Sequence, residues 1–188
     1  MRLFVALNFP KKERQRIHRA ARRLREEPLP VRWVEPDAFH ITLKFLGEVR
    51  AGGLAAIEES IGRVAASTAP FAVSMRGFGA FPTIRKPRVI WLGVEASPEL
   101  RCLKQDLEWG LSDCGFAAET RAFHPHLTLG RANSSDGAGA FRGLDGIMAD
   151  MEFSGALAVR SVDVMRSHLS REGARYCVVS TTRLAVGS

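Results

Sequence analysis

The chain lacks the usual marks of a secreted or membrane protein. It has only three cysteines, Cys102, Cys114 and Cys177. The count is odd and no two form a C-x-x-C pair, which argues against a disulfide framework and against a zinc site. There is no run of 18 uncharged apolar residues, so no membrane span is expected. The opening stretch, MRLFVALNFPKK, has too short an apolar part for a secretory signal and no small-residue cleavage site after it. Together these absences make a reducing cytoplasm the expected location. Acidic side chains are also outnumbered: 20 Asp and Glu against 27 Lys and Arg leave a net charge of +7, with a pI near 10.0. Such a surface attracts polyanions at long range without specifying which. The Gly77-x-Gly79 pair lacks the third glycine and the following helix of a dinucleotide fingerprint.

What is present suffices for a real core. Apolar residues make up 46% of 188 positions, which fits one compact domain or two small lobes sharing a cleft. Leu3 to Leu7 reads as a buried strand, closed by Asn8 and Pro10. Lys11 to Glu27 reads as a helix with Ile17, Ala20, Ala21 and Leu24 on one apolar stripe, ended by Pro28 and Pro30. Short strands are expected at Val31 to Val34 and His40 to Leu46, then a helix from Gly52 to Ala66. Phe71 to Phe78 and Val89 to Val94 read as strands joined by a loop that carries Arg85-Lys86-Pro87-Arg88. Ser97-Pro98-Glu99 is a helix start with Ser as N-cap and Pro at the first helical position, in a helix that reaches about Asp113. Thr120 to Leu129 is expected to be a strand, Asn133 to Gly139 a polar loop with a short helix after it, and Met151 to Met165 and Arg175 to Leu184 closing strands. Helices interleaved with strand pairs on short turns predict an α+β fold with mainly antiparallel sheet.

The most informative feature is a repeat. His40-Ile41-Thr42-Leu43 returns as His126-Leu127-Thr128-Leu129, 86 positions later. Side chains alternate along a strand with period 2. His40, Thr42 and Lys44 should therefore share one face, opposite Ile41, Leu43 and Phe45. His124, His126 and Thr128 should likewise oppose Leu127 and Leu129. One polar row on an apolar strand is ordinary. Two with the same residue types suggest two similar halves facing each other. Imidazole titrates near neutrality, so of two histidines one can be a neutral base and the other a charged acid at one pH. In-line displacement at phosphorus needs such groups on opposite sides. Thr42 and Thr128 hydroxyls can donate to non-bridging oxygens, and Arg131, just past the second copy, can add charge.

These residues resemble the 2H phosphoesterase superfamily, whose members carry two His-x-Thr/Ser-x motifs. Within it the chain resembles the RNA 2′,3′-cyclic phosphodiesterases, also called 2′-5′ RNA ligase-like proteins. The likeness extends through Arg2-Leu3-Phe4-Val5-Ala6, Val31-Arg32-Trp33-Val34, His40 to Gly47, Gly77 to Pro82, Pro87 to Trp91, Pro125 to Arg131 and Gly173-Ala174-Arg175-Tyr176. It implies a single bilobal domain over 1–188, with two pseudo-symmetric lobes around a central cleft, no metal or other cofactor, and a monomer. It further implies metal-independent hydrolysis of RNA 2′,3′-cyclic phosphate ends, of tRNA fragments or of small cyclic nucleotides, to 2′-phosphate ends. His40 would be the proton donor and His126 the proton acceptor, with Thr42, Thr128 and Arg131 binding substrate. The repeat is symmetric and does not itself assign the two roles. Ligation of a cyclic phosphate to a 5′-hydroxyl, or RNA-end binding without turnover, are the alternatives.

Other residues carry weaker signals. His124 is open between a supporting and an exposed role, and His18 and His168 read as surface residues. Eight basic residues between Lys11 and Arg25 read as a solvated helix face. The Arg85–Arg88 tract is expected near the cleft by family architecture. Trp33 and Phe81 are open between base stacking and core packing. The cysteines read as small buried apolar residues.

Overall fold

A computed structural model of the protein describes residues 1–133, 139–170 and 173–185. The expected polar loop after Asn133 therefore falls mostly outside the described residues. Among the described residues nine strands form one hydrogen-bonded sheet, and their pairings are all antiparallel. The first half of the sheet contains β1 (Arg2–Asn8), β3 (His40–Glu48), β8 (Ser161–Ser170) and β9 (Gly173–Arg183), in the order β3-β1-β8-β9. The second contains β4 (Phe71–Pro82), β5 (Pro87–Val94), β6 (His126–Ala132) and β7 (Ser154–Val159), in the order β6-β5-β4-β7, with the short β2 (Val31–Trp33) on the other side of β6. The halves join where β3 meets β6, through the pair Ile41 and Leu127.

One residue, Arg160, separates β7 from β8, although these strands lie in opposite halves of the pairing order. A sheet can satisfy both facts only by folding back on itself. The segment expected as one strand, Met151 to Met165, is thus divided between the two lobes. The first helical segment is also divided, into α1 (Lys11–Ala20) and α2 (Arg22–Glu26) at Ala21. Ile17, Ala21 and Leu24 are still buried on one side, as the stripe requires.

Helices cover the backs of the lobes. α3 (Leu54–Ala66) and α4 (Pro98–Ser112) pack on each other; α3 also meets β8 and β9, and α4 meets β3. α5 (Leu144–Ala149) packs on β4, and α2 packs on α5. α4 begins as its sequence dictates: Ser97 Oγ accepts the Leu100 N–H, and Pro98 opens the first turn. The chain leaves β5 in one lobe and builds α4 on the other, so the lobes are tied by a crossing helix as well as by the sheet. Ile41, Leu43, Leu127 and Leu129 are all buried on the helix side. No helix among the described residues is long and apolar enough to cross a membrane.

Candidate active site

Both motif strands carry a β-bulge at the same place. Ala6 pairs with Thr42 but Val5 pairs with Lys44, so β3 has one extra residue at Leu43. Trp91 pairs with Thr128 but Ile90 pairs with Gly130, so β6 has its extra residue at Leu129. A bulge resets the alternation of faces. The expected grouping of Lys44 with His40 and Thr42 is therefore corrected. Lys44 turns into the interior at 2% exposure, and Phe45 turns to the cleft at 65%. The matching residues on β6 are Gly130, buried, and Arg131, exposed.

Buried Lys44 is paired. Its Nζ donates to Glu108 Oε2 at 2.5 Å and to the Ala117 carbonyl at 2.8 Å. Lys104 also donates to Glu108 and, at 3.0 Å, to Glu119. Burial pushes the Glu108 carboxyl up, but hydrogen bonds from Lys104, Lys44 and the Glu119 N–H outweigh it and hold the group below the usual carboxylate range. This cluster ties β3 to α4 and to the chain that leads into β6. At Gly130 there is no room for a side chain: a Cβ would stand 2.5 Å from Val31 Cγ1 and 2.8 Å from the Trp33 ring. Trp33 is accordingly half-buried against the core, and it also lines a cavity beside the cleft.

Antiparallel pairing about Ile41 and Leu127 sets His40 across from Thr128 and His126 across from Thr42. His40, Thr42, His126, Thr128 and Arg131 all line one cleft of ≈620 Å³, so the structure brings the five predicted site residues together. Each imidazole is pinned alike. His40 Nδ1 donates to the Ala38 carbonyl and His126 Nδ1 to the His124 carbonyl, both at 2.8 Å. A carbonyl only accepts, so Nδ1 carries the proton and each Nε2 is left as an acceptor. Aromatic rings hold the planes. Tyr176 stands edge-on to His40 at 5.0 Å with Phe4 on another side at 5.0 Å, and Phe81 stands edge-on to His126 at 5.1 Å.

Both imidazoles are held below their ordinary pKa. Burial is the largest cause for each, and the bond to a backbone carbonyl opposes it. Arg131 lowers both, Arg14 and His126 add to the effect at His40, and His124 adds to it at His126. The free protein therefore favours two neutral imidazoles, and an arriving anion would raise both.

Several expectations need correction. Cys102 and Cys177 are exposed and Cys114 is half-buried, because Cys102 lies on the outer side of α4 and Cys177 on the open side of the β8–β9 hairpin. His18 is half-buried and its Nδ1 has no partner. His168, by contrast, is exposed as expected; it lies within β8, 3.8 Å from Cys177 Sγ. Residues 120–125 form no regular strand, and β6 starts at His126 itself. The Arg85–Arg88 tract is at the β4–β5 turn and is absent from the cleft lining; among the described residues Arg2, Arg32 and Arg131 are the arginines there. Sequence alternation missed Phe45, and nothing in it singled out Arg2, Arg32, Phe4 or Tyr176 as cleft residues. No group of three or more metal-ligating side chains occurs among the described residues.

The paired geometry agrees with comparisons to known proteins. The family described as LigT like Phosphoesterase matches the chain twice, at residues 7–91 and 92–176. The chain belongs to the LigT-like phosphoesterase family. It is 34% identical over 184 residues to the RNA 2′,3′-cyclic phosphodiesterase of Methanothermobacter thermautotrophicus, covering 98% of this chain and 99% of that protein. It is 38% identical over 149 residues to the RNA 2′,3′-cyclic phosphodiesterase of Aeropyrum pernix, covering 79% of this chain and 83% of the other. Among solved structures it is similar to E. coli LigT complexed with 3′-AMP, with a TM-score of 0.74, 29% identity and 97% of both chains covered. A Thermus thermophilus protein gives a TM-score of 0.81 at 28% identity, with 98% of both chains covered.

Proposed function

We propose that this protein is an RNA 2′,3′-cyclic phosphodiesterase that opens the cyclic end to a 2′-phosphate by two-histidine acid–base catalysis, without a metal. The observation that carries the reading is the pair of imidazoles on adjoining antiparallel strands, each with Nδ1 bound to its own backbone and Nε2 left for chemistry. The names of the archaeal relatives support the substrate, and the nucleotide in the E. coli LigT complex supports a cleft that takes a nucleoside phosphate.

In this reading the anionic cyclic phosphate enters the cleft and raises the pKa of both imidazoles, so one of them takes up a proton. His126 Nε2 removes a proton from water as its oxygen attacks phosphorus. The P–O3′ bond breaks, and His40 Nε2–H protonates the departing O3′. The products are a 2′-phosphomonoester and a free 3′-hydroxyl, and the histidines exchange protonation states. The direction of this assignment follows the family resemblance. Thr42 and Thr128 donate to the non-bridging oxygens, and Arg131 offsets charge as it develops. The whole of 1–188 acts as one bilobal domain, since each lobe supplies one histidine.

The test is to incubate the protein with an oligonucleotide ending in a 2′,3′-cyclic phosphate, with excess chelator, and to identify the product end. A 2′-phosphate is expected. A 3′-phosphate would reverse the leaving group and the two roles, and activity lost to chelator and restored by metal would contradict the metal-free mechanism. Joining to a 5′-hydroxyl strand in preference to hydrolysis would make the protein a ligase.

A further inference from the structure

Two arginines are placed where a sheet would not ordinarily tolerate them. Arg32 on β2 and Arg131 on β6 are direct cross-strand partners. Like charges in that position are destabilising. No carboxylate among the described residues lies within ion-pair distance of either. An arrangement that costs stability and holds no ion pair among the described residues is suited to an anion supplied from outside.

The two guanidinium groups also mark a junction. Both arginines line the catalytic cleft, and both line a second, adjoining cavity of ≈790 Å³ that also shares Val34, Ala38, Ser170, Gly173, Ala174 and Tyr176 with it, so the two are continuous. Each cavity lies within the ~300–1,000 Å³ range of sites that take a small ligand. Their chemistry differs. The cleft holds the histidines and threonines, whereas the second cavity adds Trp33, Glu35, Asp37, Asn133 and Arg175 to its wall. Carboxylates repel phosphate but accept hydrogen bonds from base amino groups. The second cavity therefore suits a nucleoside, and the arginine pair at its mouth suits the phosphate that precedes or follows one.

We propose that the second cavity binds the nucleotide immediately 5′ of the cyclic-phosphate terminus, and that Arg32 holds the phosphodiester joining the two. The inference rests on the phosphodiesterase reading and narrows its substrate: the preferred substrate is an RNA end of two or more nucleotides, not a cyclic mononucleotide. Arg131 faces the terminal phosphate and Arg32 the next one along the chain.

The experiment compares kcat/KM for a 2′,3′-cyclic mononucleotide with that for a dinucleotide and a trinucleotide ending in the same cyclic phosphate. One charge-assisted contact predicts a dinucleotide advantage of ~10-fold or more, carried mainly by KM. The trinucleotide should add little. Arg32→Gln should remove the ~10-fold part of the dinucleotide advantage that the charge-assisted contact supplies. A dinucleotide with an uncharged methylphosphonate linkage should do the same on the wild-type protein, so the test does not depend on the variant folding. Equal wild-type kcat/KM for mononucleotide and dinucleotide would overturn the proposal. So would an Arg32→Gln variant or a methylphosphonate substrate that keeps the full advantage. A wild-type protein that hydrolyses none of the three substrates would instead overturn the phosphodiesterase reading beneath it.

Discussion

The two motif strands share a backbone and differ in what surrounds it. β3 and β6 both run His-x-Thr, both bulge one residue later, and both tie the imidazole Nδ1 to the carbonyl two residues back. After the bulge they diverge. β3 sends Lys44 inward to Glu108 and presents Phe45 to the cleft; β6 has Gly130 under Trp33 and presents Arg131. The frame is symmetric, which is what acid–base chemistry on two sides of one phosphorus needs. The decoration is not symmetric: it puts a charge on one side of the cleft and an apolar ring on the other.

The largest expected effect tests the shared part. His40→Ala and His126→Ala should each lower kcat by ~10²–10⁴-fold with the fold intact by circular dichroism. The double variant should be little worse than either, because the two act as a unit. Near-wild-type turnover in either single variant would end the account of the paired motif.

Next comes the buried pair of positions. Lys44→Met removes one partner of a buried ion pair and should cost ~3–5 kcal/mol in urea unfolding. Gly130→Ala drives a methyl group into Val31 and Trp33 and should cost less, ~1–3 kcal/mol. Acid should weaken the wild-type protein through the same cluster. The folded-state pKa of Glu108 lies below its unfolded value. The stability it contributes is therefore present above the unfolded pKa and is lost as pH falls through the folded one. Glu108→Gln should flatten that acid limb.

The smallest effect separates the exposed pair. Arg131→Gln should lower kcat/KM by ~10-fold or more through loss of a charge-assisted contact. It should also move both limbs of the pH profile to higher pH, since Arg131 depresses both imidazoles. Phe45→Leu should move neither limb. If the two variants shift the profile alike, the charge asymmetry between the strands has no part in tuning the site.

Much of this was legible in the sequence, for identifiable reasons. The period-2 alternation of His40, Thr42, His126 and Thr128 holds up to the bulge and fails after it. Nothing in Leu43-Lys44-Phe45 announces an extra residue, because the bulge is a property of pairing with β1. Arg160 carries no sign of a break, and yet the chain passes there from one lobe to the other. Arg32 reads in sequence as one more basic residue among 27 Lys and Arg. Only the register of β2 on β6 shows that it faces Arg131. Local patterns indicated the elements and the catalytic candidates, while long-range pairing decided which side chains share the cleft.

The central claim is that two imidazoles, both depressed below about 6.5 in the free protein, share one proton during turnover. The most direct measurement is the pH dependence of kcat/KM on a cyclic-phosphate oligonucleotide for the wild type, His40→Ala and His126→Ala. The expected wild-type profile is a bell with its maximum on the acid side of that value. His126→Ala should lose the acid limb and His40→Ala the alkaline limb. A flat wild-type profile, or a bell that keeps both limbs in either variant, would contradict the claim.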